Sequence, residues 1–109
     1  MSRVLRIIER ARSDVDDIFA WIAKRSTYGA MSWYLAFRQA IDRIASSPES
    51  LGEAAESHAT GRPLREALFK TRRGRVYRIV FELTNAEIVI LRIRGPGQSP
   101  LRRRDVPAE

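Results

Sequence analysis

Of the 109 residues, 20 are lysine or arginine, and their placement is the first feature of the chain that could do chemistry. Residues 1–61 carry eight basic and eight acidic side chains, and residues 62–109 carry twelve and five, so the formal charge of +7 arises in the second half. Clustered guanidinium groups bind oxyanions, because their planar forked donors match carboxylate and phosphate oxygens. Such polarisation suits an anionic partner, either nucleic acid or an acidic protein, and a solvated basic face is the alternative reading.

Other reactive groups are few. With no cysteine there is no disulfide, thiolate nucleophile or cysteine-bound metal. One histidine, His58, and scattered acids give no ligand set at useful spacing, so neither a metal nor a cofactor is expected. His58 falls in a polar stretch, where a solvated histidine is the alternative to a catalytic one. Gly95-Pro96-Gly97-Gln98 lacks the helix context and lysine of a nucleotide-binding loop. No apolar run approaches the ~20 residues of a membrane span, and the first residues alternate with arginine, so a cytoplasmic protein without a secretory leader is expected.

The elements that must position these groups follow from periodicity. Val4-Leu5-Arg6-Ile7-Ile8 reads as a strand. A helix is expected from about residue 13 to 25, with Ser13 as N-cap, Asp14, Asp16 and Asp17 in its first turn, and Val15, Ile18, Phe19 and Ile22 as its apolar face. A second helix carries Ala30, Trp33, Tyr34, Phe37, Ala40, Ile41 and Ile44 and closes at Ser46-Ser47-Pro48. Residues 49–63 show neither period and read as a loop, unusually long for a compact domain.

Three strands follow, at 67–72, 75–83 and 87–94, joined by a tight turn at Arg73-Gly74 and a three-residue turn at Thr84-Asn85-Ala86. That register pairs Phe81 with Val89, Ile79 with Leu91 and Tyr77 with Ile93 on an apolar face. The opposite face then holds Val76, Arg78, Val80 and Glu82 against Arg94, Arg92, Ile90 and Ile88. Singly, Arg78 and Arg92 can pair with Glu82, Glu87 or helix acids. As a set with Arg94 they repel one another unless an anion lies over them. The fold class is α+β, a strand, a two-helix hairpin and a three-strand antiparallel meander, forming one domain over residues 1–95 with an irregular basic tail over 96–109. Arg102 to Arg104 in that tail can equally be a solvated charge run.

The order of elements resembles that of the RelE/ParE toxin superfamily. The resemblance rests on Tyr77-Arg78-Ile79-Val80-Phe81 followed by Ile88-Val89-Ile90-Leu91-Arg92-Ile93, with Asp14-Val15-Asp16-Asp17-Ile18, Ser46-Ser47-Pro48 and Leu64-Arg65-Glu66-Ala67-Leu68 in support. It covers nearly the whole chain. It implies a small sheet packed against the helical hairpin, and a toxin of a type II toxin–antitoxin system, neutralised by a cognate antitoxin whose C-terminal segment wraps it.

Two outputs are implied. RelE-like members cut messenger RNA on the ribosome, whereas ParE-like members poison DNA gyrase. Arg78 corresponds to the strand arginine with which RelE-like nucleases hold phosphate, and Lys70 and Arg72 lie near the basic residues such enzymes place on the preceding strand. Cutting RNA also needs a proton acceptor and a proton donor. Here no tyrosine follows Tyr77 and no histidine follows His58, so the C-terminal catalytic residue of that branch is missing. ParE-like toxins often end in an arginine–aspartate pair, which Arg104-Asp105 retains, although Arg94-Gly95-Pro96-Gly97 stands where their histidine is expected. The reading is therefore a ParE-like toxin that binds gyrase or another essential target, with Lys70, Arg72, Arg78, Arg92, Arg94 and Arg104 as target- or phosphate-binding candidates. A RelE-like metal-independent endoribonuclease and a nontoxic binding module are the alternatives. Trp21, Met31 and Leu35, off the apolar helix faces, are the candidate antitoxin contacts, or else merely flank the core. Arg78→Ala is expected to weaken toxicity and spare the fold.

Overall fold

The computed structural model describes residues 3–107. Strand β1 (Val4–Ile7) leads into helices α1 (Glu9–Ala23) and α2 (Thr27–Ser46), and a short helix α3 (Glu56–Thr60) precedes β2 (Leu64–Phe69), β3 (Tyr77–Leu83) and β4 (Glu87–Arg94). Single 3-10 turns occur at Pro48–Ser50 and Arg103–Asp105. The sheet order is β1-β4-β3-β2, with β1 parallel to β4 and the other pairings antiparallel, so the α+β meander expected from the sequence is present.

Helix α1 begins at Glu9, one turn before the expected Ser13, because the chain passes directly from strand to helix. The N–H of Ile8 donates to Ile90 O at 3.3 Å, and its carbonyl accepts from Arg12 N at 3.0 Å. Asp14 is thereby moved from the first turn to the helix interior, where it is buried. Helix α2 is capped as its composition suggests, the Ser26 hydroxyl accepting from Gly29 N at 2.8 Å. It ends at Ser46, before the proline.

Beneath the hairpin, Trp33, Phe37 and Ile44 of α2 pack on Ile79, Phe81, Ile88, Ile90 and Ile93. The β3 half of this face matches the expected alternation, but β4 does not. Thr84 N donates to Glu87 O and the Thr84 hydroxyl accepts from Glu87 N, both at 2.9 Å, which widens the turn so that Leu83 pairs with Ile88. That register also pairs Phe81 with Ile90, and a bulge between Val80 and Phe81 then shifts it again, pairing Ile79 with Ile93. Val89 and Leu91 consequently turn to the other face.

That second face is covered. Val80, Val89 and Leu91 form a smaller core with Leu64 of β2, Ala54 from the segment before it, and Leu101 and Val106 from the segment after β4. The expected strand over 67–72 runs instead from Leu64 to Phe69, and Lys70 to Val76 form a connection, turned by a Gly74 N to Thr71 O bond of 3.1 Å. Closing Lys70, Arg72, Arg73 and Arg75 into a tight hairpin would oppose like charges, which disfavours pairing.

Candidate binding cleft and its arginines

The basic residues singled out from the sequence fall into three groups. Arg78, on β3, is held as an internal fork: Nη1 donates to Glu56 Oε1 at 2.9 Å, Nη2 to Glu56 Oε2 at 2.7 Å, and Nη1 also to Glu66 Oε1 at 2.9 Å. Glu56 is fully buried and accepts a further bond from Leu101 N at 2.9 Å. Burial alone would raise the Glu56 pKa, but the Arg78 fork and the Leu101 N–H outweigh it and hold the carboxyl at about 2. Reciprocally, the bonds to Glu56 and Glu66 raise the Arg78 pKa against its burial.

Arg92 is likewise internal. Its Nε donates to Asp14 Oδ2 at 2.7 Å and its Nη2 to Asp14 Oδ1 at 3.2 Å, while Nη1 reaches Asp105 O at 2.9 Å. Asp14 Oδ2 also accepts from Ile93 N at 3.0 Å. The two arginines clip α1, α3 and the C-terminal segment onto the sheet. Glu56 and Arg62, which pair with Arg78 and Glu82 of the sheet, are ion-pair partners that periodicity could not find, since they lie in a stretch without a repeat. Arg62 donates to Glu82 Oε1 at 2.9 Å and to Pro107 O at 2.7 Å.

Lys70, Arg72 and Arg104 are exposed, the first two beyond the end of β2 and not on a strand. Arg94 stands between these classes. It sits directly across from Arg78, donates through Nη2 to Ser99 O at 2.7 Å, and keeps a buried Nε that has no partner among the described residues. Burial, then the charges of Arg92 and Arg78, lower its pKa.

A hollow of about 730 Å³ opens between α1, the 70–76 connection and the end of β4. Ile18, Trp21, Ile22, Trp33, Tyr77 and Pro96 give it an apolar floor, and Asp17, Arg75 and Gln98 stand among its polar lining. Trp33 Nε1 is buried without an acceptor among the described residues. Trp21 is 56% exposed, with the Arg25 guanidinium 4.0 Å from its ring centroid. Met31 lines a separate, shallower hollow with Val15, Phe19 and Tyr34, and Leu35, though exposed, lines neither.

Tyr77 is half-buried, stacked on Phe69 at 5.7 Å and edge-on to Trp33 at 5.6 Å, with one side in the cleft. Burial raises its pKa, so its hydroxyl keeps its proton at neutral pH. His58 is exposed on α3 and lines none of these hollows. No helix among the described residues is long and apolar enough to cross a membrane. This arrangement can receive an apolar segment.

A family model for the ParE toxin of type II toxin–antitoxin system, parDE, matches residues 5–100. Comparison with curated proteins found no match.

Proposed function

Because this chain belongs to the ParE toxin family of type II toxin–antitoxin systems, we propose that it arrests growth in the cytoplasm by binding an essential DNA-linked target, gyrase first. The family implies a cognate antitoxin as its partner in a toxin–antitoxin complex. In this reading an amphipathic, acidic segment of the antitoxin lies in the cleft, against Trp21 and the apolar floor, with Met31 and Leu35 available to a longer wrap around the hairpin.

The observation that carries binding over cutting is the internal engagement of Arg78 and Arg92. A phosphorane-stabilising clamp needs cations that can reorganise toward substrate oxygens. These two are committed to buried carboxylates, and releasing either would strand Glu56 or Asp14 without a counter-charge. Lys70, Arg72, Arg94 and Arg104 keep the capacity to meet an acidic surface.

Induction of the chain without the product of the neighbouring reading frame tests the proposal. Growth arrest with DNA-damage signalling and intact transcripts is the expected result. Codon-phased cuts in messenger RNA would replace it with the ribonuclease reading, and unimpaired growth at verified expression with the binding-module reading.

A further inference from the structure

A smaller hollow of about 240 Å³ adjoins the cleft, sharing Asp17, Ile18 and Gln98 with it. Its charged lining comes from two elements. Arg10, Asp14 and Asp17 recur at i, i+4 and i+7 along α1, on one helix face, and Arg92 and Arg94 come from β4. Asp14 and Arg92 cancel each other through their fork. What remains is Arg10, Arg94 and Asp17, one net positive charge.

We infer that this hollow is a carboxylate site, in which Arg10 and the Nε edge of Arg94 hold a single anionic group whose apolar attachment extends into the adjoining cleft. Three observations support it. Arg94 Nε is a buried donor without an acceptor among the described residues, and such a group carries an unmet desolvation penalty. Gln98 commits its carbonyl oxygen to Gly95 N, so its NH₂ is the group it has left to offer a ligand. A residual charge of +1 matches a carboxylate better than a phosphate dianion, which Asp17 at the rim would repel.

Burial adds to the case. The guanidinium charges of Arg78 and Arg92 are each offset by their own carboxylates, and the burial that lowers the Arg94 pKa also makes an arriving anion more favourable there. The carboxylate can come from an acidic side chain or from a chain terminus, since both present the same two oxygens.

The inference is independent of the target proposed above and can fail separately from it. Its test is a titration of the full-length protein at constant ionic strength with 3-phenylpropionate, with the neutral 3-phenylpropanol and with inorganic phosphate. The Arg94 Nε–H resonance is the readout. Phenylpropionate is expected to shift that resonance saturably and to bind about tenfold more tightly than the alcohol, the effect of one charge-assisted pair. Arg10→Gln, on an exposed helix position, should weaken the acid and leave the alcohol unchanged, and Asp17→Asn should tighten the acid. A terminal-carboxylate peptide and its amidated form, each with and without an internal glutamate, then separate the two sources. Equal binding of acid and alcohol, a preference for phosphate, or an Arg94 resonance that does not move would each overturn the assignment.

Discussion

Arg92 and Asp14, 78 positions apart in the chain, meet in a two-bond fork of 2.7 and 3.2 Å, both of them buried. Through it the last strand is fastened to the first helix, and the Arg92 Nη1 bond to Asp105 O draws the C-terminal segment to the same point. A residue that reads as an anion binder is the hub of the fold.

Removing one member of a buried pair leaves the other charge stranded. Asp14→Ala should destabilise the protein by about 3–5 kcal/mol in urea unfolding. Asp14→Leu with Arg92→Met should recover much of that loss. A single-variant change below about 1 kcal/mol, the range of exposed pairs, would mean that the fork carries little of the fold.

Arg78→Ala should not spare the fold, in contrast to the expectation from sequence. It leaves the fully buried Glu56 facing only the Leu101 N–H. Thermal unfolding should show a lowered Tm, with a smaller drop in Arg78→Ala/Glu56→Gln than in Arg78→Ala alone. Toxicity lost by Arg78→Ala is then a loss of folded protein, which circular dichroism on the same sample checks.

Acid sensitivity follows from the same pair. The Glu56 pKa is depressed on folding from 4.5 to about 2. Its contribution is therefore complete above about pH 4.5 and is lost as pH falls toward 2, since the unfolded state binds the proton first. Glu56→Gln should flatten the stability profile over that window and leave it unchanged in shape above pH 5. A wild-type slope retained in Glu56→Gln would assign the acid transition to other carboxyls.

The segment after β4 stabilises the domain. Leu101 is 2% exposed and Val106 5%, both in the smaller core. Leu101→Ala should cost about 2–5 kcal/mol, as in other buried large-to-small changes. An Arg104→Ala control, on an exposed side chain, should stay within about 0.5 kcal/mol. Equal, small effects for both would mean that the tail is peripheral.

Much of this architecture is legible from periodicity. The α2 face from Ala30 to Ile44, its stop at Pro48 and the β3 alternation are local signals that tertiary packing reinforces. The β4 register is not, because it depends on a Thr84 side-chain bond and a bulge that leave no mark on the alternation of Ile88 to Ile93. Glu56 is illegible for a related reason. An acid in an aperiodic stretch looks solvated until the fold places Arg78 over it. The basic candidates were identifiable by type, whereas their availability depended on partners 22 and 78 positions away. Among them, Arg94 is the strand arginine left with an open donor.

The chain is proposed to act by binding a DNA-linked target and not by cutting RNA. A supercoiling assay with purified gyrase, run beside a ribosome-dependent transcript-cleavage assay on the same folded protein, tests it most directly. Supercoiling should be lost in proportion to added protein while the transcript stays intact. Unaffected supercoiling together with codon-phased cleavage would contradict it.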